Sequence, residues 1–314
     1  MKILVLESYS LAAVTRLQAL TELSVSQDMS TLAQTEILLI RSKTKVDAEL
    51  LARAPALKLV VTSTSGFDHI DWRACQARGV TVAHTPSANA QSTAELTMAL
   101  MLATERQLIN ARKNVRENKW RQGLTRSRGL NGQELGIVGL GRVGRQVAKL
   151  AQAFGMHVSA YDPYIDQADF AQTGVTRLAY IELLKLSDYV SLHVPLTKET
   201  KHLLNQPTFN EMQADAILIN TCRGPVVDEN ALLTALDEGT IAGAAMDVIE
   251  REPPPQGHRV LTHPKLLLTP HIGAFTDNAW ELASQEAVSK ALQFVRGEKI
   301  LDTLPLAVPW FENT

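Results

Sequence analysis

The sequence predicts an α/β protein built from two doubly wound parallel-sheet domains. Three observations lead there. Short apolar runs alternate with amphipathic stretches along the whole of the 314 residues. A glycine-rich strand–turn–helix unit, "ELGIVGLGRVGRQVAKL", sits near the middle of the chain. The same alternation continues on both sides of it, as parallel sheets covered on both faces require.

In chain order, "KILVLE", "EILLIRS", "LKLVVTSTS" and "VTVAHT" read as buried strands, and "SLAAVTRLQAL", "DAELLARA" and "WRACQARG" have helical spacing. The segment "SANAQSTAELTMALMLATERQLINARKNVRENKW" holds no Gly or Pro and reads, for most of its length, as one long helix leading from the first domain to the second. After the glycine unit, "HVSAYD", "YVSLHVP", "AILINT", "GAAMDV" and "KLLLTP" predict strands. "YIELLKLS" and "ENALLTALDEG" predict helices, and a last long helix near Asp277–Gly297 leads the chain back. The expected division is therefore 1–95 with 283–314 for one domain and 96–282 for the other, with two crossings that act as a hinge beside a cleft.

Bulk composition bounds the function. A formal charge of -2 is no electrostatic footprint for nucleic acid. No apolar run is long enough to span a bilayer, and "MKILVLES" is too short and too soon polar for a signal peptide. With only Cys75 and Cys222, no disulfide framework is implied, and the expected compartment is the cytoplasm. No His/Cys spacing points to a metal.

Gly139-Leu140-Gly141-Arg142-Val143-Gly144 fits G-x-G-x-x-G. Gly139 permits the tight turn, Gly141 the close approach of a pyrophosphate, and Gly144 close helix–strand packing. The following helix N-terminus offers N–H groups to phosphate. Asp162 ends the next strand, 18 residues beyond Gly144, where a carboxylate accepts from ribose hydroxyls and repels a 2′-phosphate. A Rossmann-type domain binding NAD is expected. Arg142 can reach a phosphate or lie in solvent.

Three later strand ends carry chemistry-bearing residues. Arg223 follows "ILINT", Asp247 and Glu252 lie in "AAMDVIEREPPP", and His271 lies in "LLLTPHIGAFT". Singly, each also fits a surface arginine, a loop carboxylate or a structural histidine. Jointly they supply what hydride transfer to a 2-oxo acid needs. His271 is a general acid/base near neutral pH. Glu252 orients it and favours its charged form. Arg223 is a planar fork for the substrate carboxylate that also polarises the carbonyl.

The stretches "TSGFDHID", "STAELTMALML", "GIVGLGRVGRQVA", "LHVPLTKETKHLLN", "ILINTCRGPVVDENALLTAL", "AAMDVIEREPP" and "LLTPHIGAFT" resemble the D-isomer-specific 2-hydroxyacid dehydrogenase family over about Val60 to Thr276. The resemblance implies a Rossmann-type NAD domain inserted into a flavodoxin-like substrate domain. It implies Arg223, Glu252 and His271 as the catalytic set. Arg142, Val143, Asp162, Thr221 and Asp247 would line the NAD site, with Asp247 near the nicotinamide. Backbone N–H groups of Ser65 and Gly66 would hold the substrate carboxylate, and a homodimer through the nucleotide domain is implied. Cys222 stands where the family often has Ala; it reads as a small buried hydrophobe.

For the substrate, "LLIRSKTKVDAELL" resembles 3-phosphoglycerate dehydrogenases, in which the arginine matching Arg41 helps hold the phosphate. Against that, Thr62 stands where many of those enzymes carry a further arginine, and the chain ends without their C-terminal regulatory domain. Arg121, Arg126 and Arg128 are either further phosphate charge or a solvated basic loop. Glyoxylate, hydroxypyruvate and other 2-oxo acids stay open, as does a binding role of a different class, an NAD-dependent corepressor. No disordered tail or basic segment fits that last role. The closing "LPLAVPWFENT" is a short apolar tail that could dock on a neighbouring subunit.

Overall fold

The structure is a computed structural model that describes residues 1–313. The chain divides into two compact units, residues 1–90 with 274–311 and residues 91–273. In chain order the first elements are β1 (Lys2–Val5), α1 (Leu11–Gln18), β2 (Ser24–Ser26), β3 (Ile37–Ile40), α2 (Ala48–Arg53), β4 (Leu59–Thr62), α3 (Trp72–Ala77) and β5 (Thr81–His84). Then come α4 (Ala90–Glu105), α5 (Leu108–Arg116), β6 (Glu134–Val138), α6 (Arg142–Ala153), β7 (His157–Tyr161), α7 (Gln167–Ala171), β8 (Thr176–Arg177), α8 (Tyr180–Leu186) and β9 (Tyr189–Leu192). The chain finishes with α9 (Gln206–Phe209), β10 (Ile217–Asn220), α10 (Glu229–Glu238), β11 (Gly243–Met246), β12 (Leu266–Leu268), α11 (Asp277–Val295) and β13 (Thr303–Leu304).

In the first unit the strands run in the order β13-β5-β4-β3-β1-β2. β1 to β5 are parallel and form the flavodoxin-like order 2-1-3-4-5. Only the two-residue β13 departs from the expected parallel pairing, lying antiparallel on the edge of β5. Buried side chains alternate between the faces. Ile3, Val5, Ile37 and Leu39 join one cluster with Ala287, Val288 and Ala291 of α11. Leu4, Leu38 and Ile40 join the other with Leu50 and Leu51 of α2. Side-chain oxygens of Ser10, Asp47, Asp71 and Thr276 cap the N-termini of α1, α2, α3 and α11. The apolar tail packs on its own unit: Phe311 is 3% exposed and lies 5.1 Å from the Trp72 ring and 5.9 Å from Phe67. Phe311 of the tail thus packs in the core of its own unit, where the sequence left docking on a neighbour open.

The second unit holds seven parallel strands ordered β12-β11-β10-β9-β6-β7-β8. The order reverses at β6, between β7 and β9, which is where open α/β sheets bind ligands. Leu135, Ile137, Ile217 and Ile219 face one cluster. Val138, Val190, Leu192 and Leu218 face the other. Full burial of each such side chain stabilises the fold by roughly 1.5–3 kcal/mol relative to exposure. On α6 the buried residues Gly144, Val147, Ala148 and Ala151 recur at helical spacing and lay one stripe on the sheet.

The expected single long helix is two. α4 ends at Glu105 and α5 starts at Leu108, because Gln107 adopts φ +49° and its amide donates to the carbonyl and hydroxyl oxygens of Thr125. No Gly or Pro marks this break, so local sequence carries no sign of it. Arg128 is not spare charge: it pairs with Asp188 at 3.2 Å and Asp215 at 2.8 Å, beside the N-terminal ends of β9 and β10. Among the described residues no helix is long and apolar enough to cross a membrane.

Candidate active site

All the functional side chains expected in the second unit follow strands of one parallel sheet, so they gather at its C-terminal edge. The glycine turn follows β6 at the reversal point. Gly139 has φ +94°, and a Cβ there would lie 2.6 Å from the His193 carbonyl oxygen. A Cβ on Gly144 would lie 2.1 Å from the Gly139 carbonyl oxygen, so only glycine lets α6 sit this close to β6. A Cβ on Gly141 meets nothing within 4 Å. Two glycines are thus required by the protein itself, and the third borders open space at a helix N-terminus that no side chain caps. That is the arrangement a pyrophosphate needs, so these residues fit a dinucleotide. Arg142 is exposed beside it, and Val143 packs partly into the sheet cluster.

Asp162 follows β7 and spans the turn. Its Oδ2 accepts the Leu140 N–H at 2.9 Å and its Oδ1 the Tyr164 N–H at 3.0 Å. Each oxygen keeps a second acceptor site for a ribose hydroxyl. Thr221, after β10, is buried and shares a 2.9 Å hydrogen bond with Thr97 of α4. The Thr97 proton goes to the Thr93 carbonyl, so Thr221 is the donor in that bond. Beside Gly139, burial pushes the His193 imidazole down to about 3, and it stays neutral.

Arg223 is carried by a tight segment. Asn220 Nδ2 donates to the Arg223 carbonyl, and the Cys222 N–H donates to Asn220 Oδ1, both at 3.0 Å. A Cβ on Gly224 would fall 1.9 Å from the Ile249 carbonyl oxygen. The backbone after Arg223 therefore lies against the loop that carries Glu252. Cys222 is half-buried, and burial pushes its thiol up to about 11, in keeping with a packing role.

His271 Nδ1 lies 2.6 Å from Glu252 Oε2, while Glu252 Oε1 accepts the Ile249 N–H at 3.1 Å. The Glu252 hydrogen bond holds the imidazole above its ordinary pKa against the opposing pull of burial and of the Arg223 charge. Burial pushes the Glu252 carboxyl up, but its hydrogen bond and charge pairing with His271, the Ile249 N–H and Arg223 bring it below the ordinary range. Arg223 acts on both partners, so the three groups share one electrostatic neighbourhood.

What the sequence does not reveal is how His271 is held. His271 has φ +55°, a left-handed conformation that costs a non-glycine residue on the order of 1–3 kcal/mol. Asp247, 1% exposed, locks it. The Asp247 carbonyl accepts the His271 N–H at 2.8 Å. Its Oδ1 accepts the Thr269 hydroxyl at 2.6 Å and the Ile272 N–H at 2.9 Å, and its Oδ2 accepts the Gly273 N–H at 2.8 Å. The Thr269 hydroxyl, two residues before the histidine, was the unread signal.

In the first unit, Ser65 and Gly66 follow β4. Arg41 follows β3, its backbone N–H donating to Glu7 Oε1 at 3.1 Å while its buried Nη1 has no acceptor among the described residues. Thr62 is buried, its hydroxyl bonded to Thr64 at 2.6 Å and His69 at 3.2 Å.

In an imidazole titration followed by NMR, His271 is expected to titrate above an ordinary histidine. In Glu252→Gln it should titrate below one, because burial and Arg223 then act with only Asp247 opposing them. An unmoved midpoint would mean that Glu252 does not set the charge of the imidazole.

The NAD binding domain of the D-isomer specific 2-hydroxyacid dehydrogenases matches residues 98–273. D-3-phosphoglycerate dehydrogenase of Methanocaldococcus jannaschii is 37% identical over 92% of the chain, which spans 55% of that relative. The chain thus covers about half the length of the phosphoglycerate dehydrogenases it matches. Hydroxypyruvate reductase of Thermotoga maritima is 38% identical, over 83% of this chain and 85% of that one. Among solved structures, D-lactate dehydrogenase of Aquifex aeolicus complexed with NAD and lactic acid is similar with a TM-score of 0.82 and 33% identity, over 94% of this chain and 96% of that one. By sequence and by fold, the chain belongs to the D-isomer specific 2-hydroxyacid dehydrogenases.

Proposed function

We propose that the protein is an NAD-dependent dehydrogenase interconverting a D-2-hydroxy acid and its 2-oxo acid, with 3-phosphoglycerate and 3-phosphohydroxypyruvate as the substrate pair. The observation that carries the reaction class is the 2.6 Å His271–Glu252 pair sharing its surroundings with Arg223 at the strand ends beside the glycine turn. NAD(H), when bound, supplies or accepts the hydride at C2. Gly139, Gly141, Arg142, Val143, Gly144, Asp162, Thr221 and Asp247 hold the dinucleotide, and the Asp162 carboxylate favours NAD over NADP. Arg223 grips the substrate carboxylate and polarises the carbonyl, and the N–H groups of Ser65 and Gly66 also hold the carboxylate.

Because Nδ1 of His271 faces Glu252, Nε2 is the atom that exchanges a proton with the substrate oxygen. In the reductive direction His271 enters protonated and leaves neutral. Rising pH through its raised pKa therefore removes the acid, and kcat/KM for reduction should fall there, while oxidation gains. Glu252→Gln should move that fall to lower pH. His271→Ala should lower kcat by about 10² to 10⁴, the usual contribution of a general acid/base. A variant with full activity would remove His271 from the chemistry.

The phosphate assignment rests on Arg41, whose buried Nη1 has no acceptor among the described residues. Buried guanidinium donors are paired in folded proteins, and a phosphate oxygen completes this one. Thr62, buried and uncharged, favours the second reading, a hydroxypyruvate or glyoxylate reductase. The test is loss of NADH absorbance with 3-phosphohydroxypyruvate, hydroxypyruvate and glyoxylate, in wild type and Arg41→Ala. A preference for the phosphorylated acid that the variant loses supports serine biosynthesis. Equal rates indifferent to Arg41 make the protein a general 2-oxoacid reductase. NADH binding without turnover of any acid would favour a corepressor-like binding protein.

The assembly is read as a homodimer through α5. This helix buries none of its residues, and Leu108, Ile109 and Val115 are each more than half exposed. Sedimentation should give a dimer for wild type and a monomer for Ile109→Glu/Val115→Glu. A monomeric wild type would refute it.

A further inference from the structure

The segment after β4 is held by its carbonyls in a way that has a directional consequence. The Thr64 carbonyl accepts the Thr85 N–H at 3.1 Å, and the Ser65 carbonyl lies 2.8 Å from His84 Nδ1. A carbonyl has no proton, so His84 Nδ1 carries the hydrogen. Both peptide units are trans. In a trans unit the C=O of one residue and the N–H of the next point in opposite directions. Residues 84 and 85 at the end of β5 thus turn the N–H groups of Ser65 and Gly66 away from β5, side by side. Neither N–H donates to an acceptor among the described residues.

A third anchor follows from counting protons. The Thr64 hydroxyl donates to the Gly66 carbonyl at 2.7 Å. Its one proton is then used, so Thr62 donates to Thr64, and His69 Nε2 must donate to Thr62. Thr62 is spent on the loop. The His84 ring, 4% exposed, also meets Phe67 edge-to-face at 5.3 Å, and Phe67 in turn contacts Phe311.

We infer that His84 is a positioning residue for substrate binding: its Nδ1–H fixes the Ser65 carbonyl so that the Gly66 N–H is presented to the substrate carboxylate. This rests on the reading that Ser65 and Gly66 hold that carboxylate. Adjacent backbone N–H groups fixed in one direction form an anion-binding concavity. Fixing them before binding removes an ordering cost from association. The effect belongs to substrate binding and not to proton or hydride transfer.

Two substitutions separate the donor from the ring. His84→Phe keeps a ring against Phe67 but has no donor. His84→Asn keeps an N–H donor near the position of Nδ1 but loses the ring. The expected result is a KM for the 2-oxo acid raised about tenfold in His84→Phe and within about threefold of wild type in His84→Asn. The kcat and the NADH Kd should stay within about twofold in both, and the thermal melt reports any folding defect separately. A normal KM in His84→Phe, or an equal rise in both variants, would overturn the role of the donor. Ser65→Pro deletes one of the two N–H groups outright and should raise KM. An unchanged KM there would mean the carboxylate is held elsewhere. A raised KM there with a normal one in His84→Phe would remove His84 alone.

Discussion

The buried carboxylate of Asp247 is the interaction on which the proposed chemistry depends. It sits at the end of β11 with 1% exposure, and among the described residues no cationic side chain hydrogen-bonds to it. A charge so placed is costly unless hydrogen bonds replace its water. Here one hydroxyl and two backbone N–H groups do so, and all three come from the turn after β12. Each donor also fixes a residue of the turn that holds His271 in its left-handed conformation. Desolvating the carboxylate and straining the histidine backbone are therefore offset by the same bonds. The same bonds serve both features, so one substitution at Asp247 is expected to disturb histidine geometry as well as any cofactor contact.

The sheet makes this possible. Parallel strands place every C-terminal end on one edge, and burial of both faces leaves that edge as the place where polar groups can converge. β6, β7, β10, β11 and β12 each deliver a functional segment there. The close packing at Gly144 and Gly224 then sets the spacing between segments. In both cases a single methyl group would strike a backbone oxygen, which cannot swing aside as a flexible side chain can.

Much of this was legible in the sequence, and the unread part has a common cause. The strands and most helices are written in local periodicity, so the two doubly wound sheets follow from it. The distinct demands on Gly139, Gly141 and Gly144 follow from the motif and reappear as a turn, open space and a close approach. Pairing of His271 with Glu252 could be argued from chemistry alone. The break at Gln107, the Asp247 clamp and the His84 anchor could not. Each is a bond between residues 18 to 26 positions apart whose local sequence is unremarkable. The packing of Phe311 on Trp72 is unwritten for the same reason: an apolar run says that something is buried, and not against what.

The electrostatics of the trio set opposing demands that together define its working range. Glu252 stabilises the imidazolium, while burial and Arg223 destabilise it. The two influences pull the imidazole in opposite directions, and the Glu252 pull is the larger. The sign of the pairing also bears on stability. The His271 share is complete below its unfolded pKa and is lost as pH rises through the raised folded value. The Glu252 share is complete above its unfolded pKa and is lost as pH falls through the lowered folded value. The pair therefore stabilises the fold most between the ordinary carboxylate and imidazole values. His271 is half exposed, so solvent screens much of that benefit. In the proposed mechanism the pair contributes chiefly the orientation of Nε2, directed by a carboxylate that the Ile249 N–H holds in place.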